Sequence, residues 1–113
     1  MDEKDFERLL ISVSAVDDVI SAYVCSRAGT YIDGATPKMA DRNMYSAITS
    51  LAFGTAEQVG HEMNDNLQHV SLNFSEKRLL IISLGSRHLM GILVDHKANV
   101  DELLSKVRAL ITE

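Results

Sequence analysis

The residues that could carry catalysis are few in this sequence and stand apart from one another. The single cysteine, Cys25, follows Val24 in a strand-like run and has no histidine beside it. Free cysteine in such a run commonly behaves as a small hydrophobic residue, so we expect a buried thiol and not a nucleophile. No GxxxxGK[ST] loop occurs, and neither Gly29 nor Gly34 is followed by a helix at the spacing of a dinucleotide-binding fingerprint. We therefore predict that the chain is not an enzyme, has no catalytic residue and binds no cofactor.

Metal binding has little support, although the chain contains four histidines. They are His61, His69, His88 and His96. No pair has the four-residue helical spacing of a zinc site, and the dipeptide His61-Glu62 lacks the second histidine of an HExxH motif. The sequence therefore predicts no metal site.

Four isolated arginines near turns could act on the nucleotide site of a partner protein. An arginine that reaches into a nucleotide site can stabilise the transferring phosphoryl group. The candidates are Arg27, Arg42, Arg78 and Arg87. Ordinary solvated surface arginine is the simpler interpretation for each of them.

Composition limits the kinds of protein that this chain can be. Its 113 residues are 46% hydrophobic and 24% charged, which is typical of one globular domain spanning residues 1–113. The net charge is −5 and the basic residues form no stripe, so we expect no nucleic-acid partner. The longest strongly apolar run, residues 79–84, is too short to cross a bilayer. The acidic start of the chain does not resemble a secretory signal, and a lone cysteine favours the cytoplasm.

The first half of the chain predicts a helix, a β-hairpin and a long second helix. Apolar spacing indicates the first helix from about Asp2 to Val13, and two strand-like runs at 19–27 and 30–33 flank the turn at Ala28-Gly29. Pro37 ends the second strand because a proline has no amide to give to a sheet. Asp41 can cap the long helix, which continues to about Glu62.

The second half predicts three strands in quick succession and a closing helix. The strands occupy 67–75, 78–84 and 88–95, and Asn99 with Glu102 forms a capping box for the last helix. Short links between strands imply antiparallel pairing. The predicted architecture is therefore α/β, of the α+β type: α-β-β-α-β-β-β-α, with a five-stranded, mostly antiparallel sheet and helices on its faces.

The long helix carries more apolar surface than one sheet contact needs. The Met44 stripe can pack on the sheet; it consists of Met44, Ile48, Leu51, Thr55, Val59 and Met63. The neighbouring Tyr45 stripe consists mostly of small residues: Tyr45, Thr49, Ala52, Phe53, Ala56 and Gly60. No charge occurs between Tyr45 and Ala56, and a water-facing helix normally carries charges. We predict that the Tyr45 stripe is a dimer interface; the alternative is a helix enclosed by other parts of the same chain.

The strand at 67–75 suggests a second contact between copies. Its apolar residues alternate with His69, Ser71 and Asn73, which are polar but carry no gatekeeping charge. An edge strand without such protection can pair with another chain. We therefore add these three residues to the predicted dimer interface.

The whole chain resembles the Roadblock/LC7 family, and in particular its prokaryotic members that are linked to GTPases. The resemblance lies in the order of elements, the hairpin DVISAYVCSRAGTYI, the long helix and the closing strands RLLIISLGSRHLMGILVD. In the hairpin, Gly29 and Ile32 match the family pattern, whereas Asp18 stands where the family often has glycine. The resemblance implies homodimers, or heterodimers with a paralogue, built from paired long helices and adjoining third strands.

The resemblance also implies a role, and a second class of function remains open beside it. The family acts as a non-catalytic regulator or scaffold for small Ras-like GTPases, or in motor and signalling complexes. The alternative is a ligand-sensing domain of the PAS or profilin-like type, which shares a five-stranded antiparallel sheet. A sensor needs convergent polar groups, for which the strands offer Ser21, Ser83 and Asn73.

Overall fold

The computed structural model describes residues 3–112, and the order of elements confirms the prediction. The predicted helix start at Asp2 lies outside the described residues. A short 3₁₀ turn, Met39–Asp41, precedes the long helix. The elements are α1 (Glu3–Ser14), β1 (Val19–Ser26), β2 (Tyr31–Gly34), α2 (Arg42–Met63), β3 (Val70–Asn73), β4 (Lys77–Ser83), β5 (His88–Asp95) and α3 (Val100–Thr112).

The five strands form one sheet in the order β2-β1-β5-β4-β3, and every neighbouring pair is antiparallel. The last strand therefore lies in the centre, and β2 and β3 form the two edges. Ile92 of β5 pairs with Ala22 of β1 on one side and with Leu80 of β4 on the other. Hairpin links within β1-β2 and β3-β4-β5 explain the antiparallel order, because short links cannot join parallel neighbours.

The helices cover both faces of the sheet. In β4, Leu80 and Ile82 join the core beneath α1 and α3, whereas Leu79 and Ile81 join the core beneath α2. Alternate side chains of a strand point to opposite faces, so a strand with both faces covered can be apolar throughout. This confirms the prediction for the apolar run at 78–84. None of the helices within residues 3–112 is both long and apolar enough to span a bilayer.

The two predicted helix caps have different outcomes. Asn99 Oδ1 accepts a hydrogen bond from the Glu102 amide at 3.1 Å, which confirms the cap of α3. Asp41 stands at the start of α2, but its side chain makes no capping hydrogen bond. The 3₁₀ turn runs directly into α2 there, and the Arg42 amide donates to the Met39 carbonyl instead. The prediction of a side-chain cap at Asp41 is therefore wrong.

Left-handed backbone conformations around the first hairpin include those of Gly29 and Asp18. Gly29 in the turn has φ +91°, which glycine adopts without steric cost. Asp18, immediately before β1, has φ +72°. Aspartate is one of the few other residues that visit this region, so it can replace the glycine that the family often has here.

Candidate functional site

The two apolar stripes of α2 have the opposite roles to those that the sequence predicts. The Tyr45 stripe faces the sheet: Thr49, Phe53 and Gly60 are buried, and Tyr45 and Ala52 pack against the same core. Ala56, on the same stripe, is half-buried. The prediction that the Met44 stripe packs on the sheet is wrong. The buried members of the Tyr45 stripe lie in the chain's own core and are not a surface for a second copy.

The small residues of the Tyr45 stripe allow α2 to approach the sheet closely. A Cβ atom at Gly60 would lie 2.8 Å from the Asp65 carbonyl oxygen, so only glycine fits there. The Thr49 hydroxyl donates to the Tyr45 carbonyl at 2.7 Å and accepts from the Tyr23 hydroxyl at 2.6 Å. Burial raises the pKa of Tyr23 to about 12, although the bond to Thr49 acts in the other direction. The Tyr45 stripe therefore contacts the chain's own sheet at Thr49 and its own loop at Gly60.

The Met44 stripe is exposed. Leu51 is 71% exposed and Met63 is 64% exposed, and the other three large apolar side chains of the stripe are also exposed. Nine large apolar side chains are exposed within residues 3–112, and five of them belong to this stripe. Of the remaining four, only Ile11 lies on the opposite face of the sheet, on α1. The exposed apolar surface is thus concentrated on and beside α2, as in an interaction surface.

A groove of about 730 Å³ continues this surface onto the sheet, beside the first half of α2. We call it the Phe74 groove; its walls include Ile20, Ser21, Tyr45, Ile48, Leu72 and Phe74. Ile48 belongs to both the Met44 stripe and the groove, so the two surfaces are continuous. The Ser21 hydroxyl oxygen is buried and has no hydrogen-bond partner within the described part of the chain. The sequence did not indicate this groove.

The edge strand β3 lies next to the groove and confirms the predicted edge position. The Phe74 amide donates to the Lys77 carbonyl at 2.8 Å, which fixes the alternation along the strand. The main-chain groups of Ser71 and Asn73 therefore point away from β4, towards the open edge. Their side chains bond each other, since the Ser71 hydroxyl donates to Asn73 Oδ1 at 2.6 Å. His69 is half-buried and precedes the strand.

The opposite edge strand, β2, is blocked by its own side chains. The Gly34 amide donates to Asp33 Oδ1 at 2.8 Å, and the Gly34 carbonyl accepts from the Tyr31 hydroxyl at 2.6 Å. Both main-chain groups of the last strand residue are thus occupied. The two edges therefore differ at these residues, because Gly34 of β2 has no free main-chain groups whereas Ser71 and Asn73 of β3 direct theirs to the open edge.

Arg27 is held within the chain, which removes it from the candidates for a free arginine finger. Its guanidinium donates to Glu57 Oε1 at 2.7 Å, to the Ser83 hydroxyl at 2.8 Å and to the Gly85 carbonyl at 3.0 Å. The same group lies 5.3 Å from the centre of the Phe53 ring. Arg27 therefore joins the β1-β2 turn to α2 and to the β4-β5 turn. Arg42 lies over the Tyr31 ring at 5.8 Å, and Arg87 is exposed on the β4-β5 turn.

The other residues singled out from the sequence do not converge. Cys25 is fully buried, and burial raises the pKa of its thiol to about 11. Of the three polar candidates for a sensor pocket, Ser21 lines the groove, Ser83 binds Arg27 and Asn73 lies on the open edge. No group of three or more His, Cys, Asp or Glu side chains that could hold a metal occurs within the described ranges.

Comparison with known proteins, by sequence and by structure, supports the fold. The sequence model of the Roadblock/LC7 domain matches residues 5–94. An uncharacterized protein of Methanocaldococcus jannaschii, MJ0714, is 27% identical over 101 residues, which cover 88% of this chain and 85% of that protein.

Solved structures with the same fold are more distant in sequence. The Roadblock/LC7 domain from Streptomyces avermitilis superposes with a TM-score of 0.80 at 15% identity, covering 98% of this chain and 92% of that one. Myxococcus xanthus MglB gives 0.85 at 10% identity, covering 98% and 85%. The gliding protein MglB from Thermus thermophilus gives 0.81 at 10% identity, covering 96% and 84%. The element order, the antiparallel sheet and the sequence match agree, and the chain belongs to the Roadblock/LC7 domain family.

Proposed function

We propose that this chain is a non-catalytic dimeric platform that binds and regulates a small Ras-like GTPase. The observation that carries the proposal is the exposed Met44 stripe on α2. A row of large apolar side chains facing water is costly for a monomer, and burial against a second copy would recover about 25 cal/mol for each Å² of apolar surface removed from water.

Two features favour a symmetric dimer over a random apolar contact. The stripe runs along α2 from Met44 to Met63, so two antiparallel copies of α2 can bury each other's stripe. The open β3 edge borders the same groove as Ile48 of the stripe, and two such edges can pair across a two-fold axis. The second copy is the chain itself or a paralogue with an equivalent stripe.

The GTPase partner is supported by family membership. The Roadblock/LC7 resemblance implies regulation of small Ras-like GTPases, in which the nucleotide chemistry belongs to the partner. Three of the structural relatives are MglB proteins, one of them named as a gliding protein, and another is MglC from Myxococcus xanthus. Because its single cysteine is buried, we also propose a reducing, cytoplasmic location for the chain.

The dimer is tested by placing a charge on the stripe. Leu51→Glu should convert the dimer to a monomer in light scattering, because an unpaired carboxylate would be buried in the interface. Ile11→Glu is the matched control, since Ile11 is similarly exposed but lies on the opposite face. A wild-type chain that is monomeric at micromolar concentration would contradict the proposal. Phe53 is unsuitable for this test because it is part of the core.

The partner is tested by affinity capture with nucleotide added. Wild-type protein should retain a P-loop GTPase from native extract, and the amount should differ between GDP and a non-hydrolysable GTP analogue. The purified GTPase should then change its rate of hydrolysis or exchange when the wild-type chain is added. If Leu51→Glu retained as much GTPase as the wild-type protein, dimerisation would not be needed for GTPase binding.

The Phe74 groove favours a second candidate function, the sensor of a small apolar molecule. Its volume is in the range of drug-sized ligand sites, and Ser21, which lines it, has a buried hydroxyl with no hydrogen-bond partner among the described residues. Native mass spectrometry of the purified protein tests this alternative. A stoichiometric small molecule that is lost in Ser21→Leu would support the sensor, and its absence would favour the platform.

A further inference from the structure

A second cleft, of about 590 Å³, lies between α1 and the end of the edge strand β2. We call it the Ile11 cleft; the apolar side chains that line it belong to Leu10, Ile11, Ala15, Ala22 and Ala35. Ala22 is part of the core beneath α1 and α3, so the cleft lies on the face of the sheet opposite to α2. It is therefore separate from both the Met44 stripe and the Phe74 groove.

The cleft is open because small residues line it where α1 passes β2. The three alanines carry only a Cβ atom, and a Cβ at Gly34 would lie 2.5 Å from the Ala22 carbonyl oxygen. No side chain can therefore project from Gly34 to fill the space. Ile11 remains 66% exposed beside it. The result is an apolar cleft that residues 3–112 leave uncovered.

A carboxylate stands on each wall of the cleft. Glu7 lines it from α1 and Asp33 lines it from β2. Neither forms an ion pair within residues 3–112. Asp33 Oδ1 accepts from the Gly34 amide, whereas Oδ2 receives no hydrogen bond from the described residues. The basic residues of α1, Lys4 and Arg8, do not line the cleft, so its own charge is negative.

This combination specifies the chemistry of an occupant. Apolar surface between two carboxylates matches a ligand that has an apolar stripe with a positive charge on each side. A small apolar molecule would cover Ile11 but would leave both carboxylates without a counter-ion. Strand addition is blocked at Gly34, because its amide and its carbonyl are already bonded to Asp33 and Tyr31. An amphipathic helix docks through its side chains and needs no free main-chain groups.

We propose that the Ile11 cleft binds a basic amphipathic helix of a partner protein. The apolar stripe of that helix packs on Ile11, Ala15 and Ala22, and its lysines or arginines pair with Glu7 and Asp33. The proposal does not rest on the dimer, since the cleft and the Met44 stripe lie on opposite faces of the sheet. Each copy in a dimer would keep its own cleft open for such a helix.

The probe for this site is a fluorescein-labelled helical peptide of leucine, lysine and alanine, with one leucine stripe flanked by lysines. Fluorescence anisotropy should show saturable binding that weakens as salt is raised, because exposed ion pairs are screened. A peptide with glutamate in place of every lysine should bind at least tenfold more weakly. In NMR spectra of the protein, the lysine peptide should shift the amide signals of Ile11 and Ala22 and leave that of Leu51 in place.

The double variant Glu7→Gln, Asp33→Asn tests the two carboxylates. Asparagine retains the oxygen that accepts from the Gly34 amide, so the end of β2 is preserved. The Kd for the lysine peptide should rise roughly tenfold, which corresponds to the loss of two exposed ion pairs. Ile11→Ser should raise the Kd by a similar factor, because it removes apolar contact at an exposed position.

The double variant Glu62→Gln, Asp65→Asn is the matched control. It removes the same two charges at the end of α2, and Asp65 Oδ1 likewise accepts from the next amide, that of Asn66. Its Kd should stay within about twofold of that of the wild type.

The monomer variant Leu51→Glu separates this inference from the proposed function and should bind the lysine peptide as the wild type does. If Leu51→Glu loses the peptide while the cleft variants retain it, the peptide binds the Met44 stripe and the inference is wrong. Equal binding of the lysine and glutamate peptides, or no saturable binding of either, also overturns it. None of these results bears on whether the wild-type chain is a dimer.

Discussion

At the scale of single residues, Arg27 joins three separate parts of the fold, the β1-β2 turn, α2 and the β4-β5 turn. The sequence identified it as a basic residue near a turn, but its role depends on Glu57 and Ser83, which lie 30 and 56 positions further along the chain. No local pattern reports such distant partners. The planar guanidinium serves several acceptors at once, which a lysine ammonium cannot do in the same geometry.

Removing the Arg27 side chain should therefore cost stability. Arg27→Ala should lower the free energy of unfolding by about 2 kcal/mol, because it leaves part-buried acceptors unpaired and removes the contact with Phe53. Arg27→Lys should also have a lower free energy of unfolding than the wild type. Urea unfolding followed by circular dichroism measures the change. Arg87→Ala, on the adjacent turn, is the control and should stay within about 0.5 kcal/mol of wild type.

Two buried acidic groups predict loss of stability at alkaline pH. Burial raises the pKa of Cys25 from 9.0 to about 11 and the pKa of Tyr23 from 10.0 to about 12. The folded state therefore holds these protons more tightly than the unfolded state, and stability falls as pH rises through this range. Unfolding free energy should be insensitive to these groups below pH 9 and should decrease between pH 9 and 12. Tyr23→Phe should show a shallower decrease; an equal slope would exclude Tyr23 as a cause.

At the scale of elements, the sequence predicts the last residue of α2 to within one position. It does not predict which face of α2 packs on the sheet. Both stripes are apolar and no charge separates Tyr45 from Ala56, so helical periodicity cannot indicate which face is buried. The strands are easier to predict from the sequence, because the alternation of apolar residues and the turn residues are local signals. The groove was not predictable, since its walls come from β1, α2, β3 and the segment after β2, which only the folded chain brings together.

Substitution by alanine should change the stability of the fold in opposite directions at two glycines in different elements. A Cβ at Gly91 in β5 would lie 2.3 Å from the Tyr23 ring, which is fully buried and cannot move aside. Gly91→Ala should therefore destabilise the fold by about 2 kcal/mol. Gly54 is exposed within α2 and meets nothing within 4 Å, so Gly54→Ala should stabilise by roughly 0.7 kcal/mol. Thermal unfolding of both variants tests the pair, and a stable Gly91→Ala would contradict the packing.

At the scale of the whole molecule, eight of the nine large apolar side chains that are exposed within residues 3–112 lie on the face of the sheet that carries α2, and Ile11 is the one on the face with α1 and α3. This one-sided distribution predicts that folding and association are linked. The melting temperature of the wild-type chain should rise by roughly 5 °C over a hundredfold increase in concentration, because mass action favours the dimer. Leu51→Glu should remove this dependence without loss of secondary structure. A melting temperature independent of concentration in the wild type would contradict the linkage.

The blocked end of β2 has a consequence for how far assembly can proceed. Joining two copies through β3 yields ten strands, five from each copy, and leaves a β2 strand at each outer end. The Asp33 and Tyr31 side chains already occupy the main-chain groups of Gly34 there, so a third copy finds no free groups at that residue. Strand addition at Gly34 is therefore blocked, which works against the unlimited edge-to-edge pairing that leads to fibres.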